Sequence, residues 1–148
     1  MARITIDIPW NLFEDSVGEA VSRTVRIAAA EVIAEASENI RNVAPHERDG
    51  EIVTDLIDTG AMLNSGHIVT HSQSGRSQAI SAATSRQPGV AIGLPDPEPL
   101  DEFEAQANYA AGYAPYVEAK YPFLEPAAET VRQKVDDILV RELKKEGL

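Results

Sequence analysis

The chain has no cysteine. That removes disulfides, thiol nucleophiles and thiolate metal ligands at once. Cations are scarce as well: 13 Lys and Arg stand against 24 Asp and Glu, a formal net charge of −11. A surface this acidic does not grip a phosphate backbone or an anionic membrane, both of which call for clustered Lys and Arg. No apolar run approaches the ~20 residues of a membrane span. The N-terminus lacks the basic flank and apolar stretch of a signal peptide, so the expectation is a soluble protein made in a cytoplasm. Aromatics are few: one Trp, four Tyr and three Phe in 148 residues. A chain of this length fits one domain, 1–148, and its alanine-rich apolar content predicts a thin, close-packed core.

What is present is patterned. Ile4, Ile6 and Ile8 alternate with polar residues up to Pro9 and predict a short strand. Asn11 and Glu14 have capping-box spacing ahead of a long helix. Its stripe, Val21, Val25, Ala28, Val32, Ala36, Ile40 and Val43, steps by three or four until Pro45. A helix that long, on the order of 45 Å, is expected to outrun its own core. Residues 46–58 read as a polar loop, followed by a short helical piece at Ala61–Leu63. Three strands are predicted at Gly66–His71, Gln78–Thr84 and Val90–Leu94, forming an antiparallel meander. Pro95–Asn108 holds five acids, three prolines and no base, and reads as a solvated insertion. A last helix starts near Pro126, with Leu124, Ala128, Val131, Val135, Ile138 or Leu139, and Leu143 on its apolar stripe. The expected fold is α+β: a long N-terminal helix and a C-terminal helix packed on a small antiparallel sheet of three to four strands.

Catalytic signals are weak. His67 and His71 have helical metal-pair spacing, yet Ile-Val-Thr between them favours a strand, which holds them about 13 Å apart. The acids at 96–104 lack the ligand spacing and central glycine of a calcium loop. The serines at 65, 72, 74, 77, 81 and 85 form no nucleophile elbow, and Gly75-Arg76-Ser77 is too short to cradle a phosphate. No catalytic residue, metal or cofactor is expected, and the chain reads as a non-enzyme.

The strongest signal is Tyr109–Ala127, YAAGYAPYVEAKYPFLEPA, which contains all four tyrosines and prolines 115, 122 and 126. Aromatics that dense call for burial or for a partner. Tyr113, Tyr116 and Phe123 are candidate anchors, with Leu124 beside them. Glu118, among apolar neighbours, reads equally as an exposed helix carboxylate or as an intersubunit contact. Trp10, with Leu12 and Phe13 between strand and helix, reads as a core plug, with interface contact as the sharper alternative.

Taken in order, Ala44-Pro45, Asp58-Thr59-Gly60 with Leu63 and Ser65, Tyr113-Ala114-Pro115-Tyr116-Val117-Glu118, and Pro122-Phe123-Leu124 with Pro126-Ala127 form a series. This series, from about Asn39 to the C-terminus, resembles the tail-completion or neck proteins that join head to tail in long-tailed bacteriophages. The chain departs from that pattern where His46–Ile57 separates the first two motifs, where Ala119-Lys120 replaces a frequent Gly-Thr, and at the Pro95–Asn108 insertion. The resemblance implies a virion structural protein, a hexameric ring at the head–tail junction assembled in the host bacterial cytoplasm. Its neighbours would be connector, tail terminator or tail tube proteins, with DNA passing through the lumen and no membrane involved. A terminator or head-side stopper ring is the nearest alternative. An acidic soluble binding or regulatory module is the alternative of a different class.

Overall fold

A computed structural model of the chain describes residues 1–6, 15–58, 60–99 and 101–147, apart from the Asp15 side chain. The expected residues Ile8, Pro9, Trp10, Asn11, Leu12, Phe13 and Glu14 lie outside them. In chain order the elements are β1 (Ala2–Thr5), α1 (Asp15–Arg41), β2 (His46–Arg48), β3 (Glu51–Val53), α2 (Ala61–Asn64) and β4 (Gly66–Thr70). There follow α3 (Arg76–Arg86), β5 (Glu104–Tyr109), α4 (Ala114–Lys120), α5 (Leu124–Arg132) and α6 (Val135–Lys145). The fold is α+β, with a three-stranded antiparallel sheet in the order β1-β5-β4 and a separate β2-β3 hairpin.

The long helix organises the core. Its stripe from Val21 through Val25, Ala28, Val32 and Ala36 to Ile40 is fully buried. Ile4, Ile68 and Ala105 meet it from the sheet, while Leu124, Val131 and Ile138 pack on it from α5 and α6. The expectation that this helix outruns its own core is therefore corrected. The C-terminal helices cover the part of the stripe that so small a sheet leaves open. Its end is set at Arg41, two residues short of Val43.

The sheet is built differently from the predicted meander. Gln78–Thr84 is the middle of α3, not a strand: Ala79 and Ala83, one turn apart, are its buried residues, and the small side chains let it lie close. Val90–Leu94 makes only one isolated bridge, Ile92 to Ala111. Val90 is buried while Leu94 is 90% exposed, so the two do not share a face. Residues 46–58 contain the β2-β3 hairpin. Asp49 and Gly50, both at positive φ, make its turn, and the Arg48 guanidinium donates to the Ile57 and Asp55 carbonyls at its base.

The largest correction concerns Pro95–Asn108. Its second half enters β5, the central strand, with β1 and β4 on either side. Ala105 and Ala107 face α1, while Glu104, Gln106 and Asn108 form a buried polar face. Arg3 of β1 makes that face tolerable, its Nε lying 2.7 Å from Glu104 Oε1. Asn108 also donates to Gln106 Oε1 at 3.2 Å. The final helix is two helices, broken at Gln133–Lys134, and Pro126 sits within the first turn of α5, where a missing N–H costs little.

Candidate interaction site at the tyrosine segment

Tyr109–Ala127 folds as the end of β5, a turn, α4, a second turn and the start of α5. Each aromatic is placed by a different constraint. Tyr109 closes the central strand, and its ring meets Phe123 edge-on, centroids 5.1 Å apart at 86°. Gly66, opposite it on β4, has no room for a side chain: a Cβ there would lie 2.9 Å from Tyr109 Cε1. Burial pushes the Tyr109 hydroxyl up to about 12, with Ser37 acting in the opposite direction.

Tyr113 precedes α4, and its hydroxyl accepts a hydrogen bond from Met62 N at 3.0 Å, satisfying the first turn of α2. Pro115 in the first turn of α4 needs no partner for its nitrogen. The turn ahead of α4 is tied to the strap after α3 by Gly93 N to Ala110 O and Gly112 N to Ala91 O, both 2.8 Å. Gly112 eases this close approach, since a Cβ would lie 3.2 Å from the Ala91 carbonyl oxygen.

Glu118 has a clear local task. Its Oε2 accepts from Phe123 N and Leu124 N at 2.9 Å, and its Oε1 accepts from Glu125 N at 3.0 Å. One carboxylate thus serves the free amides at the N-terminus of α5 and complements the dipole of that helix. Between the readings of exposed carboxylate and intersubunit contact, the structure supplies a third: both oxygens are used within the chain. The Phe123 carbonyl in turn accepts from Asn39 Nδ2 at 3.0 Å, fixing this turn to α1.

Burial separates the candidate anchors. Phe123 and Leu124 lie in the core at 1% and 8% exposure and offer a neighbour almost no surface. Tyr113 is half-buried, whereas Tyr116 is 78% exposed on the outer face of α4. Trp10 falls outside the described residues. Of the candidates with described positions, Tyr116 is the one available to a partner.

A second polar cluster was missed from the sequence. His67 on β4 is buried; its Nδ1 donates to the Ser65 carbonyl at 2.9 Å, and its Nε2 meets Asp96 Oδ2 at 2.5 Å. Arg76, at the start of α3, reaches Asp96 Oδ1 at 3.3 Å and the Gly93 carbonyl at 2.7 Å. The cluster clamps the 93–96 strap against β4. His67 and Asp96 are 29 residues apart, so no local spacing announces the pair. His71 lies just beyond β4 and is exposed.

A third cluster locks α6 to α1. Glu142, 1% exposed, accepts from Lys145 Nζ at 3.0 Å and from Arg23 Nε at 3.2 Å, and Arg23 also pairs with Glu146 at 2.7 Å. The Lys145 hydrogen bond, and then that of Arg23, hold the Glu142 carboxyl below its ordinary range against the opposing effect of burial. Among the described residues no helix is long and apolar enough to cross a membrane.

The fold and this site together define a small α+β protein with a braced, aromatic-bearing helix. Compared with family models, curated proteins and solved structures, the chain matches none.

Proposed function

We propose that this chain is a structural subunit of the head–tail junction of a long-tailed bacteriophage. It assembles as a ring, most simply a hexamer, that completes the tail or neck and joins it to the head around the DNA channel. The reading rests on the ordered motifs from Ala44-Pro45 to Pro126-Ala127 that resemble the tail-completion family. The observation that carries it is the arrangement of two of those motifs. Tyr113 and Glu118 hold α4 from inside, and Tyr116 between them is left 78% exposed. A rigid aromatic on a braced helix loses little entropy on docking, which is what an interface anchor requires. The net charge of −11 suits a ring that conducts DNA, since a carboxylate-lined lumen repels phosphates and lets them slide.

The test is electron microscopy of the purified protein beside its Tyr116→Ala variant. Six-fold rings that the variant fails to form support the reading. A stable monomer that captures a basic host protein instead favours the acidic binding module.

A further inference from the structure

β1 is an edge strand. Ile6 N donates to Phe103 O, so Ile6, Ile4 and Ala2 direct their backbone groups into the sheet. The alternation leaves the N–H and C=O of Arg3 and Thr5 pointing outward. Beside that edge runs a groove of about 490 Å³, with Val131 and Val135 among its lining residues. Two of its carboxylates, Glu125 and Asp136, have no cation within ion-pair distance among the described residues. Its two arginines are already engaged, Arg3 by Glu104 and Arg132 by Glu129. Among the described residues the groove therefore offers unpaired strand edge, apolar lining and uncompensated negative charge in one place.

We propose that this groove binds an extended segment of a partner protein by strand addition to β1, with a basic residue at each end and an apolar one between. Glu125 lies in the first turn of α5 and Asp136 in the first turn of α6, eleven positions on, and both line the groove beside Val131 and Val135. Side chains i, i+2 and i+4 of an added strand share one face, so a basic–apolar–basic alternation turns all three towards one side. The inference is independent of the ring assignment, because it concerns the isolated chain.

The probe is an acetylated and amidated peptide, Lys-Thr-Val-Thr-Lys, titrated into the isotope-labelled full chain and followed by amide chemical shifts. Saturable shifts centred on Arg3, Thr5 and α5 are expected, weakening as salt is added. The double variant Glu125→Gln, Asp136→Asn should raise Kd about tenfold, as expected for two partly exposed charge pairs. The peptide Glu-Thr-Val-Thr-Glu should not bind the parent chain, which gives the charge test without any variant. Absence of saturable shifts, equal binding of the acidic peptide, or an unchanged Kd in the double variant overturns the proposal. So does concentration-dependent movement of the Arg3 and Thr5 amides without peptide, which assigns the edge to a second copy of the chain.

Discussion

Replacing Glu118 with alanine removes the one side chain that serves three amides at the start of α5. The Glu125 amide is exposed and recovers a water. Phe123 and Leu124 are buried, so their amides are poorly placed to do the same. Loss of an N-cap costs about 1 kcal/mol, loss of the anion at the helix dipole ~0.3–1 kcal/mol, and an unsatisfied buried amide ~1–3 kcal/mol. These overlap, so the expected loss is about 2–3 kcal/mol. For a chain of 148 residues this lowers Tm by about 5–10 °C. Urea and thermal unfolding followed by circular dichroism give the number, and amide exchange at Leu124 and Glu125 gives its location. Glu118→Gln should fall between, since its amide keeps one acceptor but turns N–H groups towards N–H groups. If Glu118→Ala unfolds within about 0.5 kcal/mol of the parent, with exchange at these amides unchanged, the capping argument is wrong.

Phe123→Ala should cost about 3–5 kcal/mol, because the ring is fully buried and supports Tyr109; urea midpoints at constant m-value measure it. Gly66→Ala drives a methyl into the Tyr109 ring and should cost about 1–3 kcal/mol by the same assay. Tyr116→Ala should leave stability within about 0.5 kcal/mol while abolishing ring formation, since the ring is exposed. Stability should also depend on pH at both ends. Glu142 has a lowered folded pKa, so its contribution is present above the ordinary carboxylate value of 4.5 and is lost as pH falls through the folded one. Glu142→Gln should flatten that acid limb. Tyr109 has a raised pKa, so its contribution is present below pH 10 and is lost as pH rises towards about 12. Tyr109→Phe should flatten the alkaline limb.

Periodicity carried the parts of the fold that obey one clear pattern. The α1 stripe, the β4 strand and the apolar stripe near the C-terminus are legible because burial there follows one face. α3 was hidden because Ala79 and Ala83 are small and spread among serines, which leaves little amphipathic contrast. β5 was hidden for the opposite reason. Its alternation is real, but Glu104, Gln106 and Asn108 occupy buried positions that are normally apolar, and Arg3 comes from about a hundred residues away in sequence. The composition of Pro95–Asn108 therefore mimicked a solvated loop. The candidate site was legible as a segment but not residue by residue. Aromatic density marked Tyr109–Ala127, while the division between buried Phe123 and exposed Tyr116 depends on how Tyr113 and Glu118 tie α4 to α2 and to the start of α5.

The central claim, that the chain joins head to tail, is tested most directly by electron microscopy of phage particles assembled without it. The account predicts full heads and finished tails left unjoined, with joining restored when the protein is supplied. Normal joined particles in its absence would contradict it.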